Sequence, residues 1–222
     1  IYFIQAFEKW NISENNVKNT YQFNNFYNIV VSKWLRDKVE EVGRVFLYLP
    51  NAIDHQKFKL YKNISSKERK NTILMMFSNH EWKGSDLGIK AILKIKEIFP
   101  EISAVIFGTA QRPKRIPKWV KYEENPSQSL LCKLYNNSQI FLCTSYEEGF
   151  SLPPAEAMAC GCSIVTTNCG GVLDFCIHNE TSLIADDHTS DSLVKSIEVL
   201  IKNEDLRVRL AKNGSNFICK FS

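Results

Sequence analysis

From Thr72 to the end of the chain, short apolar runs alternate with stretches in which apolar residues recur every three or four positions. TILMMFS (72–78), ISAVIFG (102–108), QIFLCTS (139–145), SIVTT (163–167) and SLIAD (182–186) read as strands buried on both faces, because they lack the polar alternation of a half-exposed strand. WVKY (119–122) predicts a further short strand. Between them, GSDLGIKAILKIKEIF (84–99) and PSQSLLCKLYNNS (126–138) carry the period of amphipathic helices. Residues 152–160, a short helix from Gly171, and two helices over 190–203 and 204–217 complete the pattern. Strand followed by helix, repeated, predicts βαβ units and a parallel sheet covered on both faces.

The first part of the chain is less regular. IYFIQ (1–5) reads as a buried strand and residues 6–27 as a loop with a short helix. NIVVS (28–32) is a strand, KWLRDKVEEVG (33–43) an amphipathic helix ending in glycine, and VFLYL (45–49) another strand. PNAID (50–54) breaks the pattern as a hinge, and KNISSKERKN (62–71) is a polar loop. The predicted strands end in MFS, IFG, CTS and TTN, all small or polar, and in such sheets ligands bind at the carboxyl ends of the strands.

One of those ends runs into YEEGFSLPPAEAMACG (146–161). A single helix from Glu148 to Glu156 would set the two carboxylates about 12 Å apart along its axis. The glycine and tandem prolines argue against that, since proline is tolerated only in a first turn. A loop over Glu148, Gly149 and Phe150 with a helix from Ser151 or Leu152 fits better. Ser151 is then the expected N-cap, and Gly161 ends the helix. Glu148 lies just outside a helix N-terminus and Glu156 just inside it. The amides of Gly149, Phe150, Ser151 and Leu152 sit between them at the positive end of the dipole, a ready phosphate site. Two carboxylates flanking a phosphate site suit a ligand with phosphates in the middle and hydroxyls at both ends. Taken alone, each glutamate would read as a capping or surface acid.

Composition narrows the classes. The chain is 44% apolar and 23% charged, as ordinary globular proteins are. A net charge of +4 suits an anionic small ligand or a peripheral contact with an acidic membrane surface, and is too weak to argue for nucleic acid. No apolar run reaches the length of a membrane span. The seven cysteines form no C-x-x-C and read as buried free thiols of a reducing cytoplasm. Cys160 and Cys162 have no partner at metal-ligand spacing. No G-x-G-x-x-G follows a strand, which disfavours a nicotinamide dehydrogenase.

Three segments converge at the predicted strand ends: 146–161, HEWKGSD (80–86) with Lys83, and FGTAQRPKR (107–115), where Gly108 makes the turn. The segment EGFSLPPAEAMACG resembles the E-x7-E signature of retaining nucleotide-sugar glycosyltransferases with the GT-B fold (family four, group 1 type). The likeness extends to PNAID, WKGSD, VIFG, LLCKLYNNSQIFLCTS and IVTTNCGG, covering about residues 28–219. IYFIQAFEKW and NHEWKG look, more weakly, like bacterial transferases that build surface polysaccharides, some with deoxysugar donors.

The resemblance implies an α/β fold of GT-B type, with Rossmann-like parallel sheets. Residues 1–50 would be a remnant of the acceptor-side domain, 51–71 a linker, and 72–222 a nearly complete donor-binding domain. It implies a cytoplasmic hexosyl- or deoxyhexosyltransferase, peripheral at the inner membrane face, using a nucleotide-diphosphate sugar and a glycan or lipid-linked acceptor. No cofactor or metal is implied. Glu148 takes the catalytic place beside the donor sugar and Glu156 the ribose-binding one. Phe150, Ser151 and Leu152 bring amides to the diphosphate, with Lys83 beside it. Ser151 stands where relatives often have glycine, and Ser78 where many carry an arginine-bearing turn, a cationic contact that is then either missing or supplied by Arg112 or another basic residue. The acceptor site would lie outside this chain, which alone is expected to turn over poorly. A non-catalytic accessory subunit and a nucleotide-sugar epimerase are the alternatives.

Overall fold

The computed structural model describes residues 1–9, 11–23, 25–65 and 68–222. Trp10 and Asn24 of the expected loop, and Ser66 and Lys67 of the expected polar loop, lie outside the described residues.

The irregular first part forms a small parallel sheet. Its elements are β1 (Tyr2–Ile4), α1 (Glu14–Thr20), β2 (Asn28–Val30), α2 (Lys33–Glu40) and β3 (Val45–Tyr48), with strand order β1-β2-β3. Ser13 and Ser32 cap the two helices through their side chains. The opening strand is not buried throughout: Ile4 is enclosed, whereas Phe3 is exposed, as are Phe46 and Leu47 of β3. β1 and β3 are edge strands of a three-stranded sheet, so an apolar run there has no covering layer on every side.

The second sheet holds β4 (Asn71–Phe77), β5 (Ala104–Gly108), β6 (Lys121–Glu124), β7 (Ser138–Cys143), β8 (Ser163–Thr166) and β9 (Ser182–Ile184). All are parallel, in the order β6-β5-β4-β7-β8-β9. Helices α3 (Ser85–Ile98), α4 (Gln128–Asn137), α5 (Leu152–Ala159), α6 (Ser190–Lys202) and α7 (Glu204–Ile218) connect and cover it. The expected short strand at 119–122 begins two residues later, because Val120 closes a turn onto Pro117 and is buried there. The short helix from Gly171 is a single 3-10 turn, Gly171–Asp174.

Side-chain alternation along the strands builds a core on each face. Ile73, Met75, Ile106, Ile140 and Leu142 pack with Ile92 and Ile95 of α3 and Leu193 and Ile197 of α6. Leu74, Val105, Phe107 and Phe141 face the other way, toward Tyr135 of α4 and Ala155 and Met158 of α5. That second core continues without interruption into Ile4, Phe7, Val30 and Leu35 of the first sheet. The first sheet therefore docks on the α5 side of the second. Asp174 strengthens this contact. Its carboxylate accepts from the Lys33 amide at the start of α2 (3.0 and 3.2 Å) and from the Tyr48 hydroxyl (2.7 Å).

The stretch 51–70 runs up to β4 without further helix or strand among its described residues, yet it is pinned. The Ile53 amide donates to the Phe221 carbonyl, Phe58 packs on Tyr135, and the Tyr61 and Lys62 amides share the side-chain oxygen of Asn136. Arg69 is 1% exposed. Its guanidinium donates to the carbonyls of Ser138 and Cys160 at 2.8 Å, and to those of Asn63, Tyr135 and Lys62 at 3.3–3.4 Å. Two of these carbonyls, Tyr135 and Cys160, close the C-terminal turns of α4 and α5, where the helix dipoles are negative. A planar fork with five donors suits such a set of acceptors better than an ammonium does.

Arg69→Met is expected to destabilise the chain by about 3–5 kcal/mol, because it leaves buried carbonyls without donors. Arg69→Lys should recover less than half of that. Urea denaturation checks both, and a loss below about 1 kcal/mol would contradict this role for Arg69.

Candidate active site

β4 and β7 are neighbours whose following connections cover opposite faces of the sheet, α3 on one and α5 on the other. Their carboxyl ends are thus the switch point at which a doubly wound sheet opens a crevice. Lys83 follows β4 on the 3-10 turn Glu81–Lys83, and Glu148 follows β7. The two turns are laced together: the Thr144 hydroxyl donates to the Lys83 carbonyl, and the Tyr146 amide to the Trp82 carbonyl. The loop after β8 is tied in as well. The Thr167 hydroxyl donates to the Ser145 carbonyl, the Glu148 amide to Cys169, and the Gly171 amide to the Glu148 carbonyl.

Within this frame Glu148 is 8% exposed. Lys83 Nζ donates to both of its oxygens (2.7 and 2.9 Å), and the Ser145 hydroxyl donates to Oε1 at 2.7 Å. Lys83, Thr144, Ser145, Glu148, Ser151 and Pro153 line a narrow cleft at these strand ends. A second cleft opens toward the first sheet and is lined by Gln5, Ala6, Phe7, Trp82, Lys83, Glu148 and Gly149. Gly149 is required there: a Cβ on it would lie 1.8 Å from the Gln5 carbonyl oxygen.

The start of α5 differs from the sequence expectation in one respect. Ser151 occupies the N-cap position but its side chain caps nothing. A capping hydroxyl accepts from the second or third amide of the helix, and those positions are Pro153 and Pro154, which have no N–H. Ser151 instead takes a left-handed backbone, φ +77°, the conformation that favours glycine. The Phe150 ring is buried against Phe175 and Phe221, which fixes the loop from beneath. Among the described residues, the amides of Gly149, Phe150 and Ser151 find no hydrogen-bond acceptor.

Glu156 sits one turn into α5. Tyr135 donates its hydroxyl to Glu156 Oε2 at 3.0 Å. Burial pushes the Glu156 carboxyl up to about 7, and the Tyr135 hydrogen bond works in the opposite direction. Desolvation also drives the Tyr135 phenol well above its ordinary value.

The other sequence candidates are placed as follows. Gly108 ends β5 on the far side of β4 from Glu148, and lines neither cleft around it. The Arg112 guanidinium donates to the carbonyls of Ile116, Pro117 and Val120 in its own loop, so it staples that loop. Arg115 pairs with Asp86 and lies over the Phe77 ring. Both arginines of the basic loop are therefore engaged within the fold. His80 stacks on Trp82. Six of the seven cysteines are buried and Cys219 is exposed; all are free. Sequence reasoning missed two participants. Ser145 had a signal, as a polar residue at a strand end, whereas Tyr135 had none, because its helix is legible only as core.

The family profile described as Glycosyl transferases group 1 matches residues 56–217. N,N'-diacetylbacillosaminyl-diphospho-undecaprenol alpha-1,3-N-acetylgalactosaminyltransferase of Campylobacter jejuni is 35% identical over 89 residues, 40% of this chain and 24% of its own length. Capsular polysaccharide biosynthesis glycosyltransferase CapM of Staphylococcus aureus is 25% identical over 179 residues, 74% of this chain and 47% of its own. This chain thus spans less than half the length of either relative. The crystal structure of Anabaena HepE in complex with UDP superposes with a TM-score of 0.82 at 19% identity, over 99% of this chain and 67% of that one. The likeness bears out the GT-B architecture expected from the sequence.

Two outcomes are expected of the site. The carboxyl of Glu156 is held near 7 in the folded chain against an ordinary value of 4.5. Below about pH 4.5 it is protonated in both states and contributes nothing; between 4.5 and 7 only the unfolded chain loses the proton, so stability falls as pH rises. Glu156→Gln should remove this dependence, gaining on the order of 3 kcal/mol relative to the parent between pH 5 and pH 8. Parallel curves for the two proteins in urea titrations at both pH values would contradict it. Ser151→Gly should stabilise the chain by about 0.5–1 kcal/mol, since relief of the left-handed strain exceeds glycine's entropic cost. A destabilisation in the same assay would show that the serine's backbone is not strained.

Proposed function

This chain belongs to the group 1 glycosyl transferases, and we propose that it moves a sugar from a nucleotide-diphosphate sugar to a glycan or lipid-linked acceptor, with retention of anomeric configuration, in the assembly of bacterial surface polysaccharide. The observation that carries the reading is the placing of two carboxylates around the α5 N-terminus, one of them clamped by Lys83 and Ser145. The names of the Campylobacter and Staphylococcus relatives support the acceptor class, and UDP in the Anabaena structure supports the donor class.

In this reading the donor diphosphate lies against the amides of Gly149, Phe150, Ser151 and Leu152. Lys83 has three ammonium protons; two are given to Glu148, and the third is free to turn to a phosphate oxygen. Glu148 holds hydroxyls of the donor sugar. Glu156 accepts from the ribose diol. Gly108 stands one strand farther along the same edge of the sheet, within the donor-binding half.

The engagement of Glu148 bears on mechanism. A carboxylate that accepts from an ammonium on both oxygens and from a hydroxyl on one is a weakened nucleophile: both lone pairs of Oε1 are engaged, and Oε2 keeps one site, enough to accept from a donor-sugar hydroxyl. A double displacement through Glu148 is disfavoured on that ground. The departing phosphate takes the acceptor's proton on the same face, while Lys83 and the helix amides stabilise the developing charge. No metal is required in this scheme. The sequence has no Asp-x-Asp, and among the described residues no three His, Cys, Asp or Glu cluster as a metal site would need. Among the described residues no helix is long and apolar enough to cross a membrane. Action in the cytoplasm, peripheral at the inner membrane face, is part of the same proposal.

The test is transfer by the chain extended to the length of its relatives. Glu148→Gln should lower kcat more than it raises KM, as for a contact that tightens in the transition state. Excess chelator should leave the rate unchanged, and NMR of the product should show the donor's anomeric configuration. An inverted product, a covalent sugar on Glu148, or activity lost to chelator and restored by magnesium would overturn the corresponding step.

A further inference from the structure

Tyr135 is a tyrosine where packing asks only for an aromatic ring. It is fully buried in α4. Phe58, Phe107 and Phe141 surround its ring at centroid distances of 5.9, 6.1 and 5.8 Å. Its carbonyl is held from behind by the Cys162 thiol at 3.1 Å and by the Arg69 guanidinium at 3.4 Å. Ring and backbone are therefore both fixed, and the one polar atom of the side chain emerges toward α5. A buried phenol without a partner is costly, and phenylalanine would satisfy the same cage. The hydroxyl is spent on Glu156 Oε2.

We infer that Tyr135 is a positioning residue for the nucleotide: by donating to one oxygen of Glu156, it aims the other at the ribose diol, an assignment that rests on the ribose-binding role proposed above for Glu156. A glutamate on a helix surface has several rotamers of similar energy. The Tyr135 hydrogen bond selects one of them before ligand arrives, so less freedom is lost on binding. It has a second effect. Burial alone favours the protonated carboxyl, whereas donation from Tyr135 favours the carboxylate, the form that accepts from both hydroxyls of a diol. Among the described residues, Tyr135 is the titratable side chain that hydrogen-bonds to Glu156. Cys160 and Cys162 lie around Tyr135 itself, and Arg69 stands at its carbonyl.

The experiment is calorimetric titration of the chain with UDP and GDP, and with their 2′,3′-dideoxy counterparts, between pH 6 and pH 8.5. The proteins are the parent, Glu156→Gln and Tyr135→Phe. Tyr135→Phe should weaken the better-bound ribonucleotide about tenfold, spare its dideoxy counterpart, and move the pH midpoint of ribonucleotide binding upward. Glu156→Gln should weaken the ribonucleotide at least as much and abolish the midpoint. If Glu156→Gln loses affinity while Tyr135→Phe binds as the parent does, Tyr135 does not position Glu156. If Tyr135→Phe weakens ribo and dideoxy forms equally, its role is packing alone and the inference falls. If Glu156→Gln has no effect, or neither nucleotide binds at about 10 mM, a free energy of roughly −3 kcal/mol, the ribose-binding reading itself is wrong and Tyr135 falls with it. Should Tyr135→Phe not fold, 3-fluorotyrosine at position 135 keeps the hydroxyl and makes it a stronger donor. The midpoint should then move downward, and an unmoved midpoint would overturn the inference.

Discussion

The site depends on how Glu148 is held at every point it has to offer. Its amide donates to the loop after β8, its carbonyl accepts from the same loop, and its carboxylate is shared by Lys83 and Ser145. Three loops that follow β4, β7 and β8 thereby become one rigid rim. An exposed ion pair of this kind would contribute little. Here the carboxylate is buried, and removing one partner would leave an uncompensated charge. The rim has little freedom to rearrange without breaking all of these contacts, which is the condition for presenting a phosphate-sized arc of amides in a fixed place.

The same economy governs the ground beneath the rim. Among the described residues no carboxylate meets the buried Arg69, whose charge is met by carbonyls, two of them at the negative ends of α4 and α5. Those two helices carry Tyr135 and Glu156. The orientation of one helix against the other is thus set at their C-terminal turns by a guanidinium and farther along by a phenol–carboxylate hydrogen bond. The polar groups cross-link helices that an apolar core would let slide. The first sheet is joined to this assembly through a shared core and through Asp174, which serves as the acid at the start of α2 from a different part of the chain. Gly149 allows the Gln5 carbonyl to approach the rim directly.

Much of this was legible along the chain. Apolar runs and helical periods located the second-sheet strands and the main helices, because a strand buried on both faces and a helix buried on one leave different patterns. The tandem proline and its flanking glutamates marked the start of α5 and the position of the site, since proline restricts where a helix can begin. The strand expected at WVKY starts two residues later, at Lys121, and the opening strand is less buried than its apolar run implies. In both cases the difference lies at a sheet edge, where hydrophobicity does not reveal which neighbour will be present. The reading of Ser151 as a side-chain cap failed for a reason already in the sequence, since the amides it would cap belong to Pro153 and Pro154.

The sequence by itself determined the alternation of strands and helices, the parallel sheet, and the segment in which the candidate chemistry resides. Each of these is a local property of spacing and residue type. Only the tertiary structure decided that Lys83 meets Glu148, that Ser145 joins them, that Tyr135 donates to Glu156, and that Arg69 serves buried carbonyls. Those partners are separated by up to 91 positions. Their meeting depends on strand order and on the depth at which each side chain is desolvated, and neither leaves a periodic trace in a single chain.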